Sequence, residues 1–232
     1  MLPLMNRPRI KICCISSQEE VNLAVSCGAD ILGFVADQPS GPGILDDDTI
    51  RRLAATVPPG VFCFLLTSRT KAQEIAEHVH YCGTDCVQIV QHIDPAEHEQ
   101  LNQLLPPAVR RIQVIHVEDR SSIDLIETYT PYVNAFLLDS GRPNAAIAEF
   151  GGTGRTHDWD ISADFVRATD KPVFLAGGLK SDNVRTAIDR VQPFGLDLCS
   201  GVRTNDVLDA QTLREFMSAA RSQVQTQAAS FS

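Results

Sequence analysis

Short, continuously apolar runs alternate along the chain with longer segments whose apolar residues recur at helical spacing. Arg9–Cys14 reads as a strand, and Gln18–Ser26 as a helix closed by Gly28. Strands follow at Asp30–Ala36, Val61–Thr67, Asp85–Val90, Arg111–Val117, Val133–Leu138, Val173–Ala176 and Gly195–Leu198. Helices fall between and after them, at Asp46–Val57, Lys71–Tyr81, Pro95–Leu105, Ser122–Thr128, Asp160–Thr169, Ser181–Val191 and Ala210–Ser222. A long loop, Ser140–Arg155, precedes the helix that starts at Asp160.

The pattern predicts eight strand–helix units. Strands that are apolar throughout, rather than alternating, are those of a parallel sheet covered on both faces. Such units close into a barrel or stay open as a doubly wound sheet. An open sheet that binds a dinucleotide carries its Gly-rich turn after the first strand. Here the first strand ends in Cys13-Cys14, and the glycine motifs come after the sixth, seventh and eighth. A barrel places its phosphate site after strands seven and eight. The expectation is one α/β domain, a (β/α)8 TIM barrel spanning residues 1–232, with 223–232 as a tail.

Composition narrows the function. A formal net charge of −9 over 232 residues argues against nucleic-acid binding. There is no apolar run long enough to span a membrane, and Met1–Arg9 has no apolar segment of a secretory signal. The seven cysteines are odd in number and sit mostly in apolar runs. They read as free thiols in a reducing compartment, the cytoplasm. Cys82-x-x-x-Cys86 has no second pair at zinc spacing, and no His-x-x-x-His pair occurs. No metal is expected.

Three groups of residues carry candidate chemistry. Gly177-Gly178 and Ser200-Gly201 end the seventh and eighth strands. Residues without a Cβ let backbone N–H groups approach an anion. A short helix near Asn205 would aim its N-terminus at the same point. Lys11 and Cys13 share one face of the first strand. By position alone, Cys13 is either a thiolate base or a buried structural cysteine. On the same parity rule Cys14 faces the helical layer. Asp139 follows four apolar residues at the end of the sixth strand. That placement suits a general acid or a ligand anchor better than a turn cap. Gly151-Gly152-Thr153-Gly154-Arg155 reads as an anion loop or a lid.

Read in order, these residues resemble a known family. Lys11-Ile12-Cys13, Gly33-Phe34-Val35, Phe136 to Ser140, Gly151 to Thr156, Asp158-Trp159, Leu175 to Leu179, Asn183 and Ser200-Gly201-Val202 together are similar to phosphoribosylanthranilate isomerase of tryptophan biosynthesis. The resemblance covers nearly the whole chain. It implies a (β/α)8 barrel without cofactor or metal that carries out an Amadori rearrangement of a phosphorylated sugar, as monomer or homodimer. It implies that Cys13 takes the proton from C2 of the sugar and that Asp139 protonates the ring oxygen. It further implies that Gly154, Gly178, Ser200 and Gly201 hold the phosphate. Lys11, Gln88, Gly177 and Arg203 join the expected substrate-binding set.

The departures concentrate at the aglycone end. Cys14 stands where the family has glycine. Ser40-Gly41-Pro42-Gly43 stands where Ser-Pro-Arg is usual, so the arginine that pairs with the anthranilate carboxylate is absent from that place. Gln88-Ile89-Val90-Gln91 replaces Gln-Leu-His-Gly, and Arg203 replaces a glutamate. Arg203 and Arg142 are the candidates to take over the carboxylate. Two other readings stay open: an isomerase or lyase acting on a different phosphoribosyl compound, and a phosphosugar-binding barrel without turnover.

Overall fold

The computed structural model describes residues 7–38, 41–141 and 156–222. Eight parallel strands close into a barrel: β1 (Arg9–Ile12), β2 (Ile31–Val35), β3 (Phe62–Thr67), β4 (Cys86–Ile89), β5 (Arg110–His116), β6 (Ala135–Asp139), β7 (Val173–Leu175) and β8 (Gly195–Leu198). β8 pairs with β1 and leaves no open edge, with Lys11 in register with Asp197. Helices α1 (Gln18–Ser26), α2 (Asp47–Ala54), α3 (Ala72–Cys82), α4 (Pro95–Leu104), α5 (Leu125–Tyr129), α6 (Trp159–Ala168), α7 (Val184–Val191) and α8 (Ala210–Arg221) follow the strands in turn.

The helices start where the sequence offers caps. Ser17, Asp46, Asp94, Asp158 and Asp209 each accept a backbone N–H of the helix that follows. One predicted helix is divided between two helix types. Ser122–Thr128 is a 3-10 turn, Arg120–Asp124, running into the short α5.

Strand alternation divides the core in two. Ile10, Ile12, Leu32, Phe34, Leu65, Val87, Phe136, Leu138, Leu196 and Leu198 point outward and pack under the helices. Ile31, Val35, Phe64, Leu66, Ile112, Val114, Leu137 and Phe174 fill the barrel itself. At the floor, Phe64 and Phe174 meet edge to face with centroids 5.9 Å apart. Gly195 makes room for them, since a Cβ there would come within 2.4 Å of the Phe174 ring. The same parity sends Lys11, Asp139 and Asp197 inward at the C-terminal half of the barrel, all three buried.

The segment after β8 corrects one expectation. No short helix forms near Asn205. Ser200–Val202 makes one 3-10 turn, and Arg203–Thr204 then pairs antiparallel with Val207–Leu208. Asn205 and Asp206 form the two-residue turn, both with positive φ, 50° and 63°. A type I′ hairpin demands that conformation, and Asn and Asp tolerate it better than most residues.

Candidate active site

A cavity opens at the C-terminal ends of the strands. Cys13, Cys14, Gln38, Pro42, Gln88, Asp139, Gly177, Gly178, Asp197, Cys199, Ser200 and Gly201 line it, with Val35, Leu66, Ala176, Leu179 and Leu198 completing its wall. Seven of the ten residues expected from sequence therefore line one cavity: Cys13, Gln88, Asp139, Gly177, Gly178, Ser200 and Gly201. Gly154, like Arg142, lies outside the described residues. Lys11 is fully buried next to Cys13.

Lys11 and Cys13 form one unit with Asp197. The Lys11 ammonium donates to Asp197 Oδ2 at 2.8 Å. Gly33 on the neighbouring strand leaves the space they need. A Cβ there would sit 2.9 Å from Lys11 Nζ and 3.0 Å from Cys13 Sγ. Burial disfavours the Lys11 charge, but Asp197 and then Cys13 outweigh it and hold the ammonium above its ordinary range. The Cys13 thiol is pushed down, first by a hydrogen bond from Cys14 and also by Lys11, against the opposing effect of burial. Asp197 is a residue the sequence reading missed. Its second oxygen, Oδ1, is buried with no partner among the described residues.

Cys14 overturns the expectation that it faces the helices. β1 ends at Ile12, and Cys14 adopts φ +62°, a left-handed conformation that glycine takes without cost. The turn swings its side chain onto the barrel interior beside Cys13. Contacts with Cys13 and Cys199, then burial, push the Cys14 thiol well up, so it remains protonated. Gly43, at φ +70°, leaves the matching space: a Cβ there would come 2.7 Å from the Cys14 Cβ.

Asp139 closes the other side. Its Oδ1 accepts the Ser140 N–H at 2.7 Å. Burial raises its pKa to about 6, with the Ser140 N–H pulling the other way. A carboxyl poised there exchanges protons readily near neutrality. β6 stands three strands from β1 around the barrel, by way of β8 and β7, so acid and thiol approach a ligand from different walls. Gln88 Oε1 is buried in the same cavity with no partner among the described residues.

The glycine turns are tightly built. Gly177 and Gly178 have φ +83° and +61°. A Cβ on Gly201 would lie 1.9 Å from the Leu179 carbonyl oxygen, so only glycine fits against that loop. Asn183 braces the loop by donating to the Gly178 carbonyl at 2.9 Å and accepting the Lys180 N–H at 2.9 Å.

Arg203 does not line the cavity. Its buried guanidinium donates to both oxygens of Glu20, at 2.6 and 3.0 Å, and to the carbonyl of Cys14 at 2.6 Å. Glu20 also accepts the N–H of Ser16 at 3.0 Å and of Leu208 at 2.9 Å. Arg203, expected in the substrate-binding set, here ties α1, the hairpin and the Cys13-Cys14 turn together.

Comparison with known proteins shows the family. The family model for N-(5'-phosphoribosyl)anthranilate (PRA) isomerase matches residues 10–219. The N-(5'-phosphoribosyl)anthranilate isomerase of Pelobacter propionicus is 36% identical over 215 residues, covering 92% of this chain and 95% of that one. The crystal structure of phosphoribosyl anthranilate isomerase from Thermotoga maritima superposes with a TM-score of 0.79 at 27% identity, covering 92% of this chain and 98% of the other. A structure of such an isomerase in complex with reduced 1-(o-carboxyphenylamino)-1-deoxyribulose 5-phosphate superposes with a TM-score of 0.76 at 25% identity, over 92% of this chain and 98% of that one. With the family model covering nearly all of the barrel, the chain belongs to the N-(5'-phosphoribosyl)anthranilate isomerase family.

Proposed function

We propose that this chain isomerises N-(5'-phosphoribosyl)anthranilate to 1-(o-carboxyphenylamino)-1-deoxyribulose 5-phosphate, with Asp139 as acid and Cys13 as base. The observation that carries the reading is the pairing, in one cavity, of a carboxyl with pKa about 6 and a thiol whose pKa is lowered. Asp139 protonates the furanose ring oxygen, the bond from C1 to that oxygen breaks, and the anthranilate nitrogen lone pair forms a C1=N iminium. The Cys13 thiolate then takes the proton from C2. The C2–H electrons become a C1=C2 double bond and neutralise the iminium nitrogen. Tautomerisation of this enaminol delivers a proton to C1 and leaves the ketone at C2. No atom is gained or lost.

Lys11 keeps the thiolate accessible, and Asp197 keeps Lys11 in place. The turns at Gly177-Gly178 and Ser200-Gly201 supply the phosphate site, supported by their place in the cavity wall and by the close packing of Gly201 against Leu179. The seven thiols are free and suit the cytoplasm. No helix of the described residues is long and apolar enough to cross a membrane. We take the working form to be a monomer or homodimer.

One observation favours a second reading. Pro42 lines the cavity in the segment where the family resemblance expects an arginine. An isomerase acting on a phosphoribosyl compound with another aglycone would carry such a change. A fluorescence assay with phosphoribosylanthranilate separates the two: rapid conversion supports the first, and slow conversion with a high KM supports the second.

A further inference from the structure

The interface of α2 and α3, on the outer face of the barrel, gathers three unlike ligand groups. Asp47 opens α2, and His78 and Cys82 stand one turn apart on α3, so they share a face. One ligand atom from each lies within 4.8 Å of the other two. In a tetrahedral zinc site, bond lengths of ~2.0–2.3 Å put neighbouring ligand atoms roughly 3.3–3.7 Å apart. A pair at that upper limit need draw in by only about 1 Å, and the His78–Asp47 pair, at 3.0 Å, opens slightly to admit the ion.

The surroundings already orient two of the ligands. His78 Nδ1 is 3.1 Å from Thr67 Oγ1, which leaves Nε2 turned toward Asp47 Oδ1 at 3.0 Å. Arg69 donates to the other oxygen, Asp47 Oδ2, at 3.0 Å, and so presents Oδ1 as a single donor. Partners on the far side of each ligand are what fix ring and carboxylate in metal sites. His78 and Cys82 are buried, while Asp47 is about one-third exposed, at 35%. Asp46, Asp48, Glu77 and Tyr81 border the same cleft, so acidic groups outnumber the single Arg69 at its mouth. Asp47 and His78 line this cleft, which opens to solvent.

We propose that Asp47, His78 and Cys82 form a binding site for a borderline-soft divalent cation, zinc or cobalt, outside the catalytic cavity. One oxygen, one imidazole nitrogen and one sulfur are donors that favour such an ion over magnesium or calcium. The cation clamps the start of α2 to α3. The segment leading into α2 carries Pro42 in the wall of the cavity, so the clamp steadies that wall from behind. The site is invisible to spacing rules because Asp47 is 31 positions from His78.

The test uses the full chain after removal of metals with a chelator. Titration with Co2+ should give a thiolate-to-cobalt charge-transfer band that saturates at one ion per chain. Cys82→Ser should abolish that band while circular dichroism shows the fold intact. His78→Gln should weaken Co2+ binding by roughly 10–100-fold or more, the range seen when even the outer supports of a metal site are lost. Zn2+ should raise the Tm of the wild type and leave that of Cys82→Ser unmoved. If Cys82→Ser fails to fold, Asp47→Asn takes its place, with weakened Co2+ binding expected. Absence of the band in the wild type overturns the proposal. So does a band that survives Cys82→Ser, because the ion would then sit on another thiol. None of these readouts depends on isomerase turnover, so the two readings stand or fall separately.

Discussion

The Lys11 ammonium sits 2.8 Å from the Asp197 carboxylate, both buried, with Cys13 beside them just past the end of the strand that carries Lys11. A buried ion pair is costly to break from one side, by about 3–5 kcal/mol, because the remaining charge is left without a partner. Lys11→Met should therefore lower stability and also slow alkylation of Cys13 by iodoacetamide at pH 7, since the neighbouring cation that stabilises the thiolate is gone. A Cys13 labelling rate that does not change would remove Lys11 from the mechanism.

Cys14→Gly separates two effects at one position. Glycine takes φ +62° without the steric cost of a Cβ, so the variant should be more stable by up to about 1–2 kcal/mol, read as a higher Tm. The hydrogen bond from Cys14 that lowers the Cys13 thiol is also lost. The acidic limb of the kcat profile, which reports ionisation of the base, should move to higher pH. A profile that stays put would mean that Lys11 alone sets the Cys13 pKa.

Asp139 predicts a trade between activity and stability. Asp139→Asn keeps the shape but removes the proton donor, and kcat should fall by ~10²–10⁴-fold. The folded-state pKa, about 6, lies above the ordinary 3.8. A carboxyl shifted upward favours folding below 3.8, where both states are protonated alike, and that contribution is lost as pH rises through about 6. Asparagine does not ionise, so the variant should gain stability over wild type above pH ~6, by no more than about 3 kcal/mol at ~1.4 kcal/mol per pKa unit. Denaturant unfolding at pH 5 and pH 8 checks the sign: the gap between the two proteins should widen at pH 8.

Two arginine experiments test the aglycone end. Arg203→Met leaves Glu20 buried without its guanidinium and should destabilise the fold by about 3–5 kcal/mol. Its effect on KM should be secondary to that loss. Pro42→Arg brings a cation to the cavity wall. A charge-assisted pair contributes ~1.5–3 kcal/mol, so KM for phosphoribosylanthranilate should fall roughly 10–100-fold if the carboxylate lacks a partner in the native protein. A KM that is unchanged would mean the carboxylate is already held by another group.

The barrel was legible in the sequence because its signals are local and repeated: eight apolar runs, helical spacing between them, and acids or serine at helix starts. Cys13 stood out by parity, on the same face of the first strand as Lys11, and Asp139 as a carboxylate directly after four apolar residues at the end of the sixth. Cys14 was not legible, because parity holds only while the chain stays extended, and the strand ends two residues before it. The glycine that the family has there was the available sign of a left-handed turn. Asp197 left a readable trace, a lone acid inside the apolar run Gly195-Leu196-Asp197-Leu198. Arg203 left none: its partner Glu20 is 183 positions away, and only closure of β8 onto β1 brings their segments together. The hairpin at Asn205-Asp206 was written in two residues that tolerate positive φ, a signal weaker than the phosphate-site pattern that suggested a helix.

The most direct measurement is the conversion of phosphoribosylanthranilate by the purified chain, followed by fluorescence, for the wild type and for Cys13→Ala. Cys13 packs at the cavity edge rather than in the outer core, so the variant should keep a Tm close to wild type. The wild type should turn over the substrate, and Cys13→Ala should show no measurable turnover. Turnover that survives in Cys13→Ala, in a protein with unchanged Tm, would contradict the assignment of Cys13 as base.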